Sequence, residues 1–365
     1  MKIIHCADLH LDSKMNTNFD VAKAALRRNE ILHTFERMAE YADREGVDAI
    51  LIAGDLFDRD VVSARTVNVV MHTIETHPHI GFYYLKGNHD KASAMADAVT
   101  LPDNLFLFSD WWTTYELGEY VTVTGMELTS ESATAFERLV LPVQKYNIVM
   151  LHGQESEFGS ENAETVPLRT LRGKNIDYLA LGHIHSYKEA VLDARGTYCY
   201  PGCLEGRGFD ECGEHGFVLM TVDCDRKSAV REFIPFASRR FMEISVDITG
   251  CRNSADITGR IKKELPESGC RAEDMVRVIL TGETDVEDEK DVSYPEIQLQ
   301  EMFFLARIED HSSYRVDIEK LDSDQTLRGE FVRSVLADST IEDTDRNMVI
   351  RYGLAALLDE LKGEV

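Results

Sequence analysis

Short apolar segments alternate with helical segments near the start of this 365-residue chain, and this alternation constrains the fold more than any other feature. Residues 2–7, 49–53 and 80–86 are apolar and strand-like, whereas apolar residues recur at helical spacing over residues 21–44 and 61–76. Asp20 is placed to cap the first helix, and Gly46 lies just past its end. Strands that alternate with helices indicate a parallel sheet covered by helices on both faces.

The next part of the chain is richer in strands. Strand-like segments occur at residues 120–126, 148–151, 178–181, 187–192, 198–200, 217–222 and 230–234. Two sheets packed face to face, with helices outside, explain this number of strands better than a single open sheet. We therefore predict an α/β fold with a four-layer αββα core, in which two packed mixed sheets are flanked by helices, over residues 1–237.

The sequence pattern changes after Arg239 and Arg240. Strand-like segments at residues 241–248, 276–281 and 302–308 and a helical segment at 254–265 predict a small α+β domain over residues 238–318. The acidic stretch at 283–291 is interpreted as a solvated loop. Two helices are predicted in residues 319–365, and the second carries apolar residues that provide a docking face for a partner: Met348, Ile350, Leu354, Leu357, Leu358 and Leu361.

Charge and composition narrow the function classes. The chain has 65 acidic and 39 basic residues, a formal net charge of −26, which argues against strong unaided binding to nucleic acid. No apolar segment approaches the roughly 20 residues that span a bilayer. The seven cysteines are an odd number without a C-x-x-C pair. We therefore expect a cytoplasmic protein with no membrane segment.

Five short polar motifs each follow the end of a predicted strand. They are Asp8-Leu9-His10, Gly54-Asp55-Leu56-Phe57-Asp58, Gly87-Asn88-His89-Asp90, His152-Gly153 and Gly182-His183-Ile184-His185. Because the carboxyl ends of parallel strands meet at one edge of a sheet, these side chains are expected to converge. Polar groups gathered there without a partner are costly, and a shared ligand removes that cost.

The types of residue indicate what the ligand is. The candidate metal ligands are two carboxylates, four imidazoles and one amide, namely Asp8, His10, Asp55, Asn88, His152, His183 and His185. Imidazole with carboxylate and without thiolate suits manganese, iron or zinc. This set is too large for one transition metal and fits two that share a bridging carboxylate. Two such ions activate water and stabilise the attacking and leaving oxygens of a phosphate ester.

Two further residues are candidates for catalysis. His89 follows Asn88 and should point in a different direction, free to protonate the leaving oxygen or to stabilise the charged phosphate. Asp58, three residues after Asp55, is expected to orient the His89 imidazole and raise its pKa. The alternative for Asp58 is a cap on the next helix, and the two roles are compatible.

In this order, the motifs resemble those of the calcineurin-like metallophosphoesterases and, more narrowly, of SbcD-type DNA repair nucleases. Residues 4–12 and 200–211 also resemble that group, so the match is most specific over residues 1 to 212. The resemblance implies one metal on Asp8, His10, Asp55 and His185, and a second on Asp55, Asn88, His152 and His183. Relatives from archaea and eukaryotes often carry histidine where this chain has Asp58, so the bacterial form is the better guide.

The resemblance also implies a function and partners. It implies manganese-dependent exonuclease and endonuclease activity on DNA, with His89 assisting, in DNA repair. Residues 238–318 would cap the DNA, residues 319–365 would dock an SbcC-like coiled-coil ATPase, and the nuclease domain would form a homodimer. The cap is acidic, which weighs against DNA binding by this chain alone. Candidate phosphate contacts, none of which we assign, are Arg27, Arg28, Arg169, Arg172, Lys174, Arg239 and Arg240.

Two other functions stay open. One is hydrolysis of a small nucleotide or another small phosphodiester, in a narrow pocket. The other is a non-catalytic scaffold that docks partners, and such a protein should lack one or more metal ligands. No predicted ligand is missing from this sequence, which ranks the scaffold last.

Overall fold

The computed structural model describes residues 1–15, 19–58, 62–90, 101–130, 132–159, 162–285, 290–315, 321 and 323–362. The chain divides into two compact units, Met1–Arg240 and Phe241–Val365. The division lies close to the boundary predicted after residue 237. The predicted regions 238–318 and 319–365 both lie in the second unit, apart from the first few residues of the former.

The first unit contains most of the strands and the longest helix. Its elements in chain order are β1 (Lys2–Cys6), α1 (Val21–Glu45), β2 (Ala49–Ala53), α2 (Ala64–Glu75), β3 (Gly81–Leu85), β4 (Leu105–Leu107), β5 (Thr113–Leu117), β6 (Val121–Gly125), β7 (Tyr146–His152), β8 (Gln154–Ser156), β9 (Thr165–Pro167), α3 (Leu168–Leu171), β10 (Tyr178–Gly182), β11 (Lys188–Val191), β12 (Thr197–Tyr200), β13 (Gly216–Asp223) and β14 (Ser228–Pro235). Two short 3₁₀ helices, Ser132–Thr134 and Phe136–Arg138, lie between β6 and β7.

These strands form two six-stranded mixed sheets. The first has the order β14-β13-β1-β2-β3-β4, with β1 to β4 parallel and β13 antiparallel to both its neighbours. The second has the order β11-β12-β10-β7-β6-β5, in which the four inner strands are parallel and both edge strands antiparallel. Two mixed sheets with flanking helices confirm the predicted α/β core.

The apolar strands of the second sheet are buried on both faces. Ile148 and Met150 of β7 belong to the core shared with the first sheet, whereas the alternate residues Val149 and Leu151 belong to a separate core with Phe136 and its neighbours. Because successive side chains of a strand point to opposite faces, a strand covered on both sides needs an unbroken apolar run. Burial on both faces therefore explains the unbroken apolar run at residues 148–151.

The ends of the two long helices were largely predictable. The Asp20 carboxylate accepts a hydrogen bond from the Lys23 backbone N–H at 2.8 Å, and Gly46 closes α1 in the left-handed conformation at φ 65°. Both predicted caps of α1 are therefore confirmed. Helix α2 is capped by Ser63, whose hydroxyl accepts from the Thr66 N–H. The alternative role of Asp58 as the cap of this helix is wrong.

The second unit has its own small core. A parallel sheet of β15 (Phe241–Asp247), β16 (Met275–Thr281) and β18 (Leu305–Asp310) packs with α4 (Ser254–Ser268) and α5 (Ser293–Gln300). Two strands of two residues, β17 (Glu283–Thr284) and β19 (Ser313–Tyr314), pair with each other. The loop prediction for the acidic stretch is therefore wrong at its start, and residues 286–289 lie outside the described residues.

The apolar face of the predicted docking helix is partly buried within the second unit. Helices α6 (Leu327–Ala337) and α7 (Asp343–Lys362) pack through Val332, Val335, Ile350 and Leu354, which are all buried. Ile350 and Leu354 therefore do not belong to a free docking face, contrary to the prediction. Met348 is exposed, Leu357 is half-buried, and the side chains of Leu358 and Leu361 lie outside the described residues. None of the described helices is long and apolar enough to cross a membrane.

Candidate metal centre

The predicted ligands follow the carboxyl ends of five strands. Asp8 follows β1, Asp55 follows β2 and Asn88 follows β3, all parallel strands of the first sheet. His152 ends β7, and His183 and His185 follow β10, which is parallel to β7 in the second sheet. The two sheets thus contribute to one site, as the strand-end argument predicts.

Hydrogen bonds tie the two sheets together at this edge. The His183 backbone N–H lies 3.0 Å from both carboxylate oxygens of Asp8. The Nδ1 of His152 lies 2.9 Å from the backbone carbonyl of Ala53 in the first sheet. These contacts join residues that are 99 to 175 positions apart in the chain, so the site forms only when both sheets are packed.

Among the described residues there are three groups of side chains in which the potential ligand atoms of each group lie within 4.8 Å of one another. We call Asp8, His10 and His185 the first group, and Asp8, Asp55 and His152 the second group. Asn88 adjoins the second group, with its Oδ1 2.9 Å from the His152 Nε2, and the His183 ring is 5.5 Å from that of His152. The remaining group is His10, Asp58 and His89. Five of the seven predicted ligands therefore lie in these groups, and Asn88 and His183 adjoin His152.

The backbone of the site is strained. Four predicted ligands have positive φ, with 51° at Asp8, 46° at His10, 50° at Asp55 and 102° at His183. Residues with a side chain rarely adopt this region, and each costs on the order of 1–3 kcal/mol. Such strain persists where the surrounding structure holds it for a functional purpose.

Glycines at two positions let ligands approach the backbone. A Cβ at Gly54 would lie 2.1 Å from the His152 Nδ1, and one at Gly87 would lie 2.1 Å from a carboxylate oxygen of Asp55. Neither position can carry a larger residue unless a predicted ligand moves. Gly54 is thus required by the closeness of the two sheets, and Gly87 by the closeness of the loops after β2 and β3.

The donor atoms fit cations. The His185 Nδ1 is hydrogen-bonded to Glu211 at 2.7 Å, so it carries the proton and its Nε2 presents a lone pair. The His10 Nδ1 is in polar contact with Asp58 at 3.0 Å without hydrogen-bond geometry, and the His10 Nε2 faces the His185 Nε2. These two Nε2 atoms are only 3.2 Å apart. Likewise, His152 donates from Nδ1 to Ala53, so its Nε2 lone pair faces an Asp55 oxygen at 3.3 Å. Facing lone pairs repel each other, and a metal ion or a proton between them removes the repulsion.

The pKa values follow from the same contacts. Burial raises the pKa of Asp55, but its hydrogen bond with His152 and the charge of that imidazole outweigh burial and lower the pKa to about 2. Burial lowers the pKa of His152, but the hydrogen bond and charge of Asp55 prevail and raise it to about 9. Without a metal, a proton therefore occupies the position between these two side chains.

The two candidate catalytic residues lie at the rim. The His89 side chain is 48% exposed, and its backbone N–H donates to Asp55 Oδ1 at 2.9 Å. Asp58 Oδ1 lies 3.0 Å from the His10 Nδ1 but 3.9 Å from the His89 Nδ1. The nearer imidazole of Asp58 is thus a predicted metal ligand, and the Asp58–His89 pair stays a prediction.

Three residues around the site were not predicted from the sequence as functional. Glu211 accepts from His185, and Arg207 bridges Glu211 and Asp58. Asp90 accepts hydrogen bonds from the backbone N–H groups of Leu56, Phe57 and Gly87, which joins the loops after β2 and β3. All three lie in sequence segments that resemble the family: Asp90 ends the G-N-H-D motif, and Arg207 and Glu211 lie within residues 200–211.

Comparison with known proteins identifies the family. The family model described as calcineurin-like phosphoesterase matches residues 1–187. The chain is 30% identical over 240 residues to the uncharacterized metallophosphoesterase YhaO of Bacillus subtilis, covering 61% of this chain and 57% of that protein. It is thus similar to little more than half of that relative's length.

Two further relatives have names that describe nucleases or DNA repair. The SbcD component of the nuclease SbcCD of Staphylococcus epidermidis is 32% identical over 287 residues, with 67% of this chain and 72% of that protein covered. The DNA double-strand break repair protein Mre11 of Archaeoglobus fulgidus is 25% identical, with 90% of this chain and 81% of that protein covered. The family predicted from the motifs is confirmed: this chain belongs to the calcineurin-like phosphoesterase family, and it is a metallophosphoesterase.

Proposed function

We propose that this chain is a manganese-dependent phosphodiesterase that cuts DNA, working in the cytoplasm as the nuclease component of a complex with an SbcC-like coiled-coil ATPase in DNA repair. The observation that carries the proposal is the convergence of predicted ligands at the edge of two sheets, where the Nε2 atoms of His10 and His185 face each other and the His152 Nε2 faces Asp55. Similarity to the SbcD component of the nuclease SbcCD and to proteins named Mre11 supports DNA as the substrate.

The chain's own residues divide into two sets of ligands. Asp8, His10, Asp55 and His185 would hold one ion, and Asp55, Asn88, His152 and His183 would hold the other. When bound, two divalent ions activate a water molecule and neutralise the charge that develops on the phosphodiester. The nitrogen and oxygen donors suit manganese, and iron and zinc accept the same set.

His89 acts as the proton donor to the leaving oxygen. Its backbone is fixed by the hydrogen bond to Asp55, while almost half of its side chain is exposed to an incoming substrate. Its Nδ1 lies 3.9 Å from Asp58, and an exposed imidazole at the rim of the site can donate a proton to the leaving oxygen of a bound phosphodiester.

Binding of DNA depends on the partner. Most of the candidate phosphate contacts that are arginines form ion pairs within the chain: Arg27 and Arg239 with Glu30, Arg172 with Glu157 and Arg240 with Glu214. A net charge of −26 also disfavours binding of a polyanion by this chain alone. We propose that the ATPase supplies it, docking on residues 319–365, while residues 238–318 cap the DNA and the first unit forms a homodimer.

The test is cleavage of end-labelled linear duplex DNA by the purified chain with the ATPase, ATP and a manganese series. We expect shortening of the DNA that depends on manganese and is stimulated by the partner and ATP. His89→Gln is the control that keeps the metal ligands. Intact DNA ends under all these conditions would exclude the nuclease proposal.

A parallel arm tests the smaller substrate. Hydrolysis of bis-(p-nitrophenyl) phosphate together with intact DNA would indicate a small phosphodiester as the substrate, which the acidic surface favours. Inactivity toward both substrates, with far fewer than two ions bound per chain after manganese loading, would indicate a scaffold.

A further inference from the structure

We propose that Arg207 is a positioning residue that sets the metal affinity of the first group, because its guanidinium fixes the two carboxylates that orient His10 and His185. This inference rests on the proposed two-metal centre. It adds a role for a side chain that does not itself offer a ligand atom.

Each of the two histidines is oriented by a carboxylate behind it. The His10 Nδ1 faces Asp58 Oδ1 at 3.0 Å, and the His185 Nδ1 faces Glu211 Oε1 at 2.7 Å. Glu211 accepts from the His185 Nδ1 and so fixes its tautomer and the direction of its Nε2, whereas Asp58 holds the His10 ring through a close polar contact without hydrogen-bond geometry. The two Nε2 atoms, 3.2 Å apart, therefore point into the same space only while both carboxylates stay in place.

Arg207 holds both carboxylates at once. Its Nη1 donates to Asp58 Oδ1 at 3.1 Å, and its Nη2 donates to Glu211 Oε1 at 3.0 Å. Its backbone N–H also donates to Glu211 Oε2 at 2.7 Å. The planar guanidinium offers separate N–H groups in a fixed fork, which the single ammonium of lysine cannot reproduce.

The second group needs no such support. The His152 Nδ1 faces the backbone carbonyl of Ala53 at 2.9 Å, and that carbonyl is held by strand pairing at the end of β2. The orientation of His152 therefore depends on the sheet, whereas that of His10 and His185 depends on three side chains. A change at Arg207 should act on one of the two ions.

Charge and geometry act in opposite directions at Arg207. The positive guanidinium repels a nearby cation, so loss of the charge alone would tighten metal binding. Loss of the fork would release Asp58 and Glu211 and weaken binding. Arg207→Lys separates these effects because it keeps the charge and removes the fork.

The experiment is a calorimetric titration of the full-length metal-free chain with manganese chloride, for wild type and Arg207→Lys. We expect one of the two ions to bind about 10–100-fold more weakly in the variant, as for other residues that orient metal ligands, and the other ion to bind as in wild type. The matched control is Arg195→Lys. Arg195 is similarly half-buried and makes a forked ion pair with Asp177. Both residues precede strands of the second sheet and so lie at the end of that sheet away from the metal centre.

Two other measurements test the role of Arg207. If Arg207→Lys does not fold, Glu211→Gln should show the same selective weakening, since it removes one of the two charges that Arg207 holds. Imidazole ¹⁵N spectra of the metal-free chain should lose the protonated Nδ1 signal of His185 in Arg207→Lys and keep that of His152.

Three results would contradict the proposed role of Arg207 or the metal centre on which it rests. Wild-type affinity for both ions in Arg207→Lys would overturn the inference. Equal weakening of both ions, matched by Arg195→Lys, would also overturn it, because the effect would then be one of general stability. Fewer than two ions in the wild-type chain would refute the proposed metal centre instead, which is a different outcome.

Discussion

Substitution of Arg27 tests whether this arginine stabilises the fold or contacts DNA. Its side chain is fully buried and donates to Glu205 at 3.0 Å, to Glu30 at 2.7 Å and to the Gly206 carbonyl at 3.2 Å. Glu205 is equally buried, so Arg27→Met leaves a carboxylate inside the protein without its cation. Removal of one partner of a buried ion pair typically costs about 3–5 kcal/mol.

The remaining contacts of Glu205 place the expected cost in the lower part of that range. Glu205 still accepts hydrogen bonds from the Thr34 hydroxyl at 2.7 Å and from the Ser238 N–H at 2.6 Å. We therefore expect a loss of about 3–4 kcal/mol in the free energy of unfolding. For a unit of this size, that corresponds to a fall in Tm of roughly 6–16 °C.

The assay is urea and thermal unfolding of wild type, Arg27→Met, Arg28→Met and the double variant Arg27→Met/Glu205→Gln. Arg28 makes a solvent-exposed hydrogen bond to the Lys14 carbonyl, so its substitution should cost less than about 0.5 kcal/mol. The double variant should recover much of the loss because it removes the unpaired charge. A cost below about 1 kcal/mol for Arg27→Met would refute the reasoning, and unaltered unfolding with weaker DNA cleavage would instead make Arg27 a phosphate contact.

Three further predictions concern the metal centre. Asp55→Asn should lose both ions, since this carboxylate is the proposed bridge, whereas His89→Gln should keep both ions and lose cleavage. Metal analysis and the DNA cleavage assay test the two variants. Retained cleavage in His89→Gln would remove His89 from the mechanism. Chelation of the metals should lower Tm, since an ion at 100 times its Kd stabilises by about 2.7 kcal/mol per site, and an unaltered Tm with a chelator would argue against both sites. In the metal-free chain, the folded pKa of His152 is about 9 against an ordinary 6.5, so its charge stabilises the fold fully below pH 6.5, and this contribution is lost as the pH rises through 9. Urea unfolding across that range checks the sign, and His152→Gln should flatten the curve.

The family and the convergence of the candidate ligands were predictable because both depend on local sequence patterns. Alternating apolar and helical segments indicate the sheets, and a polar residue directly after a strand end can reach only the edge of a sheet. Asp8, Asp55 and His152 were found on this basis, without any knowledge of distances. The caps of α1 at Asp20 and Gly46 were found in the same way, since they depend on neighbours within a few residues.

Elements with weak local patterns were missed. Helix α5 has Pro295 near its start and little periodicity, and β17 and β19 have two residues each. The buried face of α7 was recognised as apolar, but the sequence could not tell that α6 covers Ile350 and Leu354. An apolar face has the same pattern whether its partner is another chain or a neighbouring helix.

The sequence by itself determined which residues converge, because strand ends and spacing are local properties. Only the tertiary structure decided which carboxylate serves which histidine. Asp58 turns to His10, and Arg207 reaches Asp58 across 149 positions of the chain. Likewise, only packing showed that Arg27 is buried against Glu205. Such pairings depend on how two sheets and their loops approach each other, and the distances that select one partner over another arise only after the sheets have packed.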